Sequence, residues 1–185
     1  MQTMINEILN AIKERHIPES AVSEFTVPPR AVILREGEVA DKIYYILSGC
    51  LRLAFNNDGK DVTFQFFFPG GMVASFDSWR SAAPSQFSIL SIEKSEVVAI
   101  DGAAFKSLII SEDGLRDEYL GYLETRFHTY QQLFLSRIRN TPEQRYKELI
   151  EQNPEIVRRI PLHYIASYLG ITPVSLSRIR SRLGH

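Results

Sequence analysis

The sequence predicts an α+β chain: an N-terminal antiparallel β jelly roll, then one long helix, then a small helical domain. Three observations carry this. From Val27 to about residue 101, short apolar or alternating runs are separated by turn residues, with no helical pattern between them. From Gly102 the apolar period lengthens to that of a helix and holds without proline from about Leu115 to Arg139. Beyond Thr141 the chain breaks into short capped helices, the last two meeting at Gly170.

Bulk properties narrow the class. The chain has 185 residues, 44% hydrophobic and 23% charged, which suits one large or two small globular domains with a genuine core. Cys50 is the only cysteine, so a disulfide, a four-cysteine zinc site and a cysteine-ligated cluster are excluded within one chain. No apolar run approaches a membrane span, and MQTMINEILNAIKER lacks a signal-peptide core. The expectation is a cytoplasmic protein with no membrane partner. The net charge of −1 hides an asymmetry: 12 basic against 18 acidic residues through Ser136, then 9 against 4 from Arg137 onward. From Val157 to His185 there are five arginines and no acid. A basic end on an acidic body points to an anionic partner, although a solvated helical face gives the same count.

The elements follow in order. Ile5, Ile8, Leu9 and Ile12 recur at helical spacing, so residues 3–15 read as an amphipathic helix, and IPESAVSEF adds a short second one. The strand-forming runs are AVILREGE, KIYYILSG, CLRLAFNNDGK, DVTFQFFFPGG, QFSILSI and EVVAI, with a hairpin signal at Asn57-Asp58-Gly59. Strands at this spacing with no helices between them suit an antiparallel sandwich or jelly roll. Ala104 to Ile110 forms a short helix before the long one. Along the long helix Leu120, Leu123, Phe127, Tyr130 and Phe134 follow 3-4-3-4 spacing. That stripe is either a dimer seam or a face packed on the chain's own sandwich. Thr141 caps the next helix, Pro142 takes its first position and Gln144 completes a capping box; Asn153-Pro154 ends it.

The tail reads as two helices joined by a tight turn. Leu162 to Leu169 forms the first, Gly170 turns the chain, and Thr172-Pro173 starts the second, which reaches about Arg182. Ile165, Ala166, Leu169, Ile171, Leu176 and Ile179 face inward. Thr172, Val174, Ser175, Ser177, Arg178, Ser181 and Arg182 are left outward. This is the spacing of a helix-turn-helix, whose second helix enters the DNA major groove. Hydroxyls and arginines suit phosphate oxygens and base edges, and small residues let the helix sit deep. Helix pairs with a glycine turn also occur as plain structure. Here the pair coincides with the acid-free terminus, which favours double-stranded DNA as its partner.

At this point the chain resembles the Crp–Fnr superfamily of bacterial transcription regulators over nearly its whole length. ILREGEVADKIYYILSGCLRL is similar to the family's Gly-Glu, Tyr-x-Ile and Gly pattern, and FFPGGMV to the segment leading into its phosphate-binding cassette. The long helix stands where the family has its dimerisation helix, and IASYLGITPVSLSRIRSRL where it has its helix-turn-helix. The resemblance implies a cyclic-nucleotide-binding-like jelly-roll sensor over 1–113, a dimerisation helix over 114–139 and a DNA-binding domain over 140–185. It implies a homodimer whose sensor, with a small-molecule effector of unknown identity, governs DNA binding.

Departures from the family pattern shape the rest. Cyclic-nucleotide binders carry Gly-Glu and, about ten residues on, Arg-Ser or Arg-Thr, the carboxylate for the ribose hydroxyl and the arginine for the phosphate. Here those places hold Ser75-Phe76 and Ser85-Gln86, with Arg80 in the intervening loop. An effector pocket, where there is one, lies at Gly71, Ser75, Phe76, Arg80, Ser85 and Gln86, and no tight cyclic AMP binding is expected. The family's oxygen sensors use an N-terminal cysteine cluster that this chain lacks. A haem sensor of the family needs axial ligands from the sandwich, and His16, His128, His163 and His185 all fall outside the strands, so haem is not expected. His16 and Cys50 are the ligands still open. No other cofactor and no metal are expected. Phe64, Phe66, Phe67, Phe68, Phe76 and Trp79 either line an apolar pocket or simply pack the sandwich. In the reading head, Pro173 and Val174 stand where relatives carry base-contacting Arg and Glu, and Arg178 matches the family's later arginine. Base readout falls to Ser175, Ser177, Arg178 and Val174, and phosphate contact to Arg158, Arg159, Arg180 and Arg182. With no hairpin wing after the recognition helix, fewer phosphate contacts are expected.

Two other classes compete. A jelly-roll metalloenzyme holds its metal with histidines, and Val27 to Ile100 contains none. No base or carboxylate is placed predictably beside a serine nucleophile, so no enzyme is expected. A sensor or protein-interaction module of the same fold that does not bind DNA is the remaining alternative.

Overall fold

The computed structural model describes residue 10 and residues 18–184. The helix expected over 3–15, with Ile5, Ile8, Leu9 and Ile12, lies outside the described residues apart from Asn10, and so do His16 and His185. The chain divides into two compact units, Met1–Phe55 with Phe66–Arg126, and Asn56–Gln65 with Phe127–His185.

The strands form two four-stranded antiparallel sheets, and all but the hairpin segment Asn56–Gln65 fall in the first unit. β1 (Val22–Val27), β8 (Ser95–Asp101), β3 (Lys42–Ser48) and β6 (Met72–Val73) lie side by side in that order. β2 (Val32–Leu34), β7 (Ser88–Ser91), β4 (Leu51–Asn57) and β5 (Lys60–Phe67) make the other. This is the jelly roll that the sequence predicts. Its first strand corrects one expectation: IPESAVSEF does not add a helix. Glu19–Ala21 makes a single 3-10 turn, and Val22 to Val27 pairs along β8 from Val22↔Ile100 to Val27↔Ser95. Val22, Phe25, Thr26 and Val27 suit a pleated, half-buried surface, and cross-strand pairing overrides the local helical spacing.

Side-chain alternation sets the core. Ile43 and Tyr45 stand opposite Ile100 and Val98 on one face of the sheet. They pack with Met72, with Phe105 and Leu108 of α2 (Gly102–Ser111) and with Leu115 of α3 (Asp113–Arg139). A short helix, α1 (Phe76–Ser81), occupies the segment expected to be a loop, so Arg80 stands on a helix instead. Tertiary bonds hold it: the buried Ser78 hydroxyl accepts the Ala40 N–H at 2.9 Å and donates to the Ala83 carbonyl at 2.5 Å. Trp79 lies against Gly102, where a Cβ would fall 2.1 Å from its Nε1, so only glycine fits there.

In the second unit Thr141 caps α4 (Pro142–Gln152), accepting the Gln144 N–H at 3.3 Å, and Gln144 Oε1 accepts the Thr141 N–H at 2.8 Å. Asn153-Pro154 ends α4 as expected, but Pro154 also opens α5 (Pro154–Arg159), because proline is preorganised for the first helical position. α6 (Leu162–Tyr168) and α7 (Pro173–Leu183) follow. Tyr146, Leu149, Ile156, Ile160, Ile165, Ala166, Leu169, Leu176 and Ile179 are the buried apolar residues of these helices and their connections.

Candidate nucleic-acid interface

The turn between α6 and α7 is built as its residues dictate. Gly170 takes φ 69°, and the Ile171 N–H reaches back to the Ala166 carbonyl at 2.9 Å. Thr172 starts α7 by accepting the Ser175 N–H at 3.1 Å. Ile165, Ala166, Leu169, Leu176 and Ile179 are buried, while Ile171 is only half-buried. Thr172, Val174, Ser177, Arg178, Ser181 and Arg182 are exposed. Ser175 is half-buried, its hydroxyl 2.9 Å from that of Thr172, so it supports the cap rather than standing clear. Arg180 is also half-buried, with its Nε enclosed and lacking an acceptor.

Internal pairing thins the basic charge that counting suggests. Arg182 bonds Glu143 at 3.0 Å, and Arg158 and Arg159 both meet Glu155, at 3.4 and 2.7 Å. Those two arginines hold the Glu155 carboxyl below its ordinary pKa, the Arg159 hydrogen bond being the largest cause. Arg137 donates to the Tyr168 carbonyl and Arg145 to the Leu169 carbonyl, each at 2.8 Å, so both fasten the end of α6. Burial, then the nearby Arg137 charge, pull Arg145 below the ordinary arginine value, with Glu148 opposing. Arg178 differs. It is exposed and makes no hydrogen bond or ion pair among the described residues.

The apolar stripe of α3 is not buried within the single chain. Leu120, Phe127, Tyr130 and Phe134 are exposed, Phe127 at 71% and Phe134 at 64%, and Leu123 is half-buried. Ile138, also exposed, extends the stripe by a turn beyond the positions singled out from spacing. A different face of α3 meets the sandwich, where Leu115 is buried and the Tyr122 hydroxyl donates to the Met72 carbonyl at 2.6 Å.

Of the six positions singled out for an effector, the structure joins two. The buried Ser75 and Ser85 hydroxyls lie 2.8 Å apart, and Ser85 also donates to the Phe87 carbonyl at 2.7 Å. The pair is thus satisfied within the protein. Phe76 and Gln86 are exposed, Gly71 is half-buried, and Arg80 turns to Trp79, its guanidinium 5.9 Å from the ring centroid. The aromatic neighbourhood is largely engaged in packing: Phe66 and Phe67 are buried. Trp79 meets Phe105 edge-on at 6.1 Å, and Phe105 meets Tyr119 at 5.4 Å. Sequence reasoning missed Glu143 and Glu155 as neutralising partners and Ser167 as a contact of the head; the Glu155–Arg159 spacing was the one available signal.

A β roll, a long helix and a last pair of short helices thus follow one another along the chain. The family of the cyclic nucleotide-binding domain matches residues 24–112. A cyclic nucleotide-binding domain-containing protein from Listeria monocytogenes is similar in structure, with a TM-score of 0.76 and 19% identity over 97% of this chain and 90% of that one. FixK2 from Bradyrhizobium japonicum gives 0.73 and 19% over 88% and 84%. The c-di-GMP responsive global regulator CLP of Xanthomonas campestris gives 0.73 and 16% over 95% and 91%. No curated protein matches by sequence. Residues 24–112 thus match the cyclic nucleotide-binding domain, and the chain shares the fold of these solved structures. No helix among the described residues is long and apolar enough to cross a membrane.

Proposed function

We propose that the chain is a DNA-binding transcription regulator of the Crp–Fnr type, acting as a homodimer on a pseudo-palindromic operator, with an effector other than cyclic AMP. The observation that carries this is α7, a capped helix with a buried apolar side and an outward side of small, hydroxyl and arginine residues. Arg178 stands ready for a base edge, and Arg180 and Arg182 follow it along α7. The exposed α3 stripe supplies the second copy, which sets two recognition helices roughly 34–36 Å apart on successive major grooves. CLP and FixK2 have the same fold, and the regulator named in CLP's description fits this reading.

Selection of bound sequences from a random duplex library tests the proposal. A half-site motif in inverted repeat is expected, with the logarithm of affinity falling by about 0.9 per phosphate neutralised for each unit of log salt. Because several arginines are already ion-paired, the salt slope should reflect fewer contacts than the nine basic residues of the tail. No affinity for any duplex at low salt overturns the proposal.

The Ser75–Ser85 pair carries a separate expectation. Neither residue holds a charge for a cyclic phosphate or a carboxylate for a ribose hydroxyl, and each has a partner in the other. Titration calorimetry with cyclic AMP and cyclic GMP is expected to give no heat of binding at micromolar concentrations, on the order of several kcal/mol being lost with the missing charge-assisted pair. Micromolar affinity for either nucleotide contradicts this.

A further inference from the structure

β4 and β5 are joined through Asp58 and Gly59, at φ 52° and 83°, the geometry of a two-residue hairpin turn. In such a hairpin Asn57 and Lys60 face each other as a hydrogen-bonding pair, and alternate residues repeat that direction. Lys60, Val62 and Phe64 thus turn their backbone groups toward β4, and Asp61 and Thr63 turn theirs outward. β5 is the edge strand of its sheet, so no strand among the described residues lies on that side. Ser167, near the end of α6, is there instead. Its hydroxyl accepts the Thr63 N–H at 2.9 Å and meets the Asp61 carbonyl at 3.3 Å. One side chain thereby takes a donor and an acceptor from the sheet edge, as a neighbouring strand does. Thr63 is 0% exposed, so water cannot replace that acceptor. The hairpin tip, Asn56–Gln65, belongs to the same compact unit as the helical head.

α6 is also the helix on which the recognition helix rests, through the Gly170 turn and the Arg137 and Arg145 bonds to its last carbonyls. We infer that Ser167 is a positioning residue: its hydroxyl fastens α6 to the β5 edge, so the hairpin tip sets how α7 is presented to DNA. The inference rests on the DNA-binding reading for its consequence, though not for the contact.

Amide hydrogen exchange and duplex affinity, measured on the full chain for the parent, Ser167→Ala and Ser167→Thr, test it. In Ser167→Ala, exchange over Asp61–Gln65 is expected to quicken about tenfold, and affinity for the selected duplex to fall about tenfold. Exchange at Tyr146 and Leu149 should stay at the parent rate, since the head remains folded. Ser167→Thr keeps a hydroxyl and should restore both. Parent-like hairpin exchange in Ser167→Ala overturns the inference, as does faster exchange with undiminished duplex affinity. A parent that binds no duplex sinks the regulator reading instead, and the exchange rates still decide whether Ser167 holds the hairpin.

Discussion

Replacing Arg178 by Ala is expected to weaken binding to the selected duplex by about 1–3 kcal/mol per half-site, roughly 5- to 150-fold, and to level the base preference at one position of each half-site. The reason is availability. Arg178 is exposed on the outward side of α7 and spends no hydrogen bond or ion pair on its own chain among the described residues. A guanidinium in that state loses only water when it meets two acceptors on a guanine, the commonest bidentate base contact. Arg182 makes the contrast, since it must first leave Glu143 at 3.0 Å. Arg182→Ala should therefore cost less, and should weaken all duplexes alike, as a phosphate contact does. Electrophoretic mobility shifts on the selected sequence and on variants at each position measure both effects. Parent-like affinity of Arg178→Ala would remove this residue from the interface.

These two arginines also mark how far the sequence could be read. The inward and outward positions of α7 follow from a period that each residue shares with its near neighbours, so they are legible locally. The same holds for the Thr141–Gln144 capping box and for the hairpin turn at Asp58-Gly59. Charge counting fails at Arg182 because Glu143 lies on another helix and only the folded chain brings the two together. β1 was misread for a related reason. Val22 to Val27 is a strand because β8 lies alongside it, and nothing within IPESAVSEF reveals β8. α1 is too short and too polar to show a period; Ser78 bonds and the Trp79–Gly102 fit hold it. Ser167 has no local signature either, since the groups it meets belong to a strand far off in the chain. What escaped the sequence is thus mainly contacts between elements distant along the chain, the Glu155–Arg159 pair within α5 being the local exception.

The α3 stripe carries the last expected result, because spacing left two explanations open and the exposed side chains favour the dimer seam. A stripe packed on its own sandwich would be buried in the single chain, yet Phe127, Phe134 and Ile138 are each more than half exposed. Fully burying a phenylalanine side chain contributes about 1.5–3 kcal/mol, and a twofold axis counts each ring twice. Phe127→Glu should therefore cost the dimer roughly 3–6 kcal/mol of apolar burial, with like-charge repulsion across the seam added, raising the dimer dissociation constant at least about 100-fold. Sedimentation velocity at micromolar concentration should then show a monomer, with unchanged far-ultraviolet circular dichroism because Phe127 is exposed and not part of the core of its own chain. Phe127→Leu keeps an apolar knob and should remain dimeric. Operator affinity should fall along with dimerisation, because one head alone forfeits the effective concentration that the second supplies. A Phe127→Glu protein that sediments as the parent does would remove the stripe from the dimer contact.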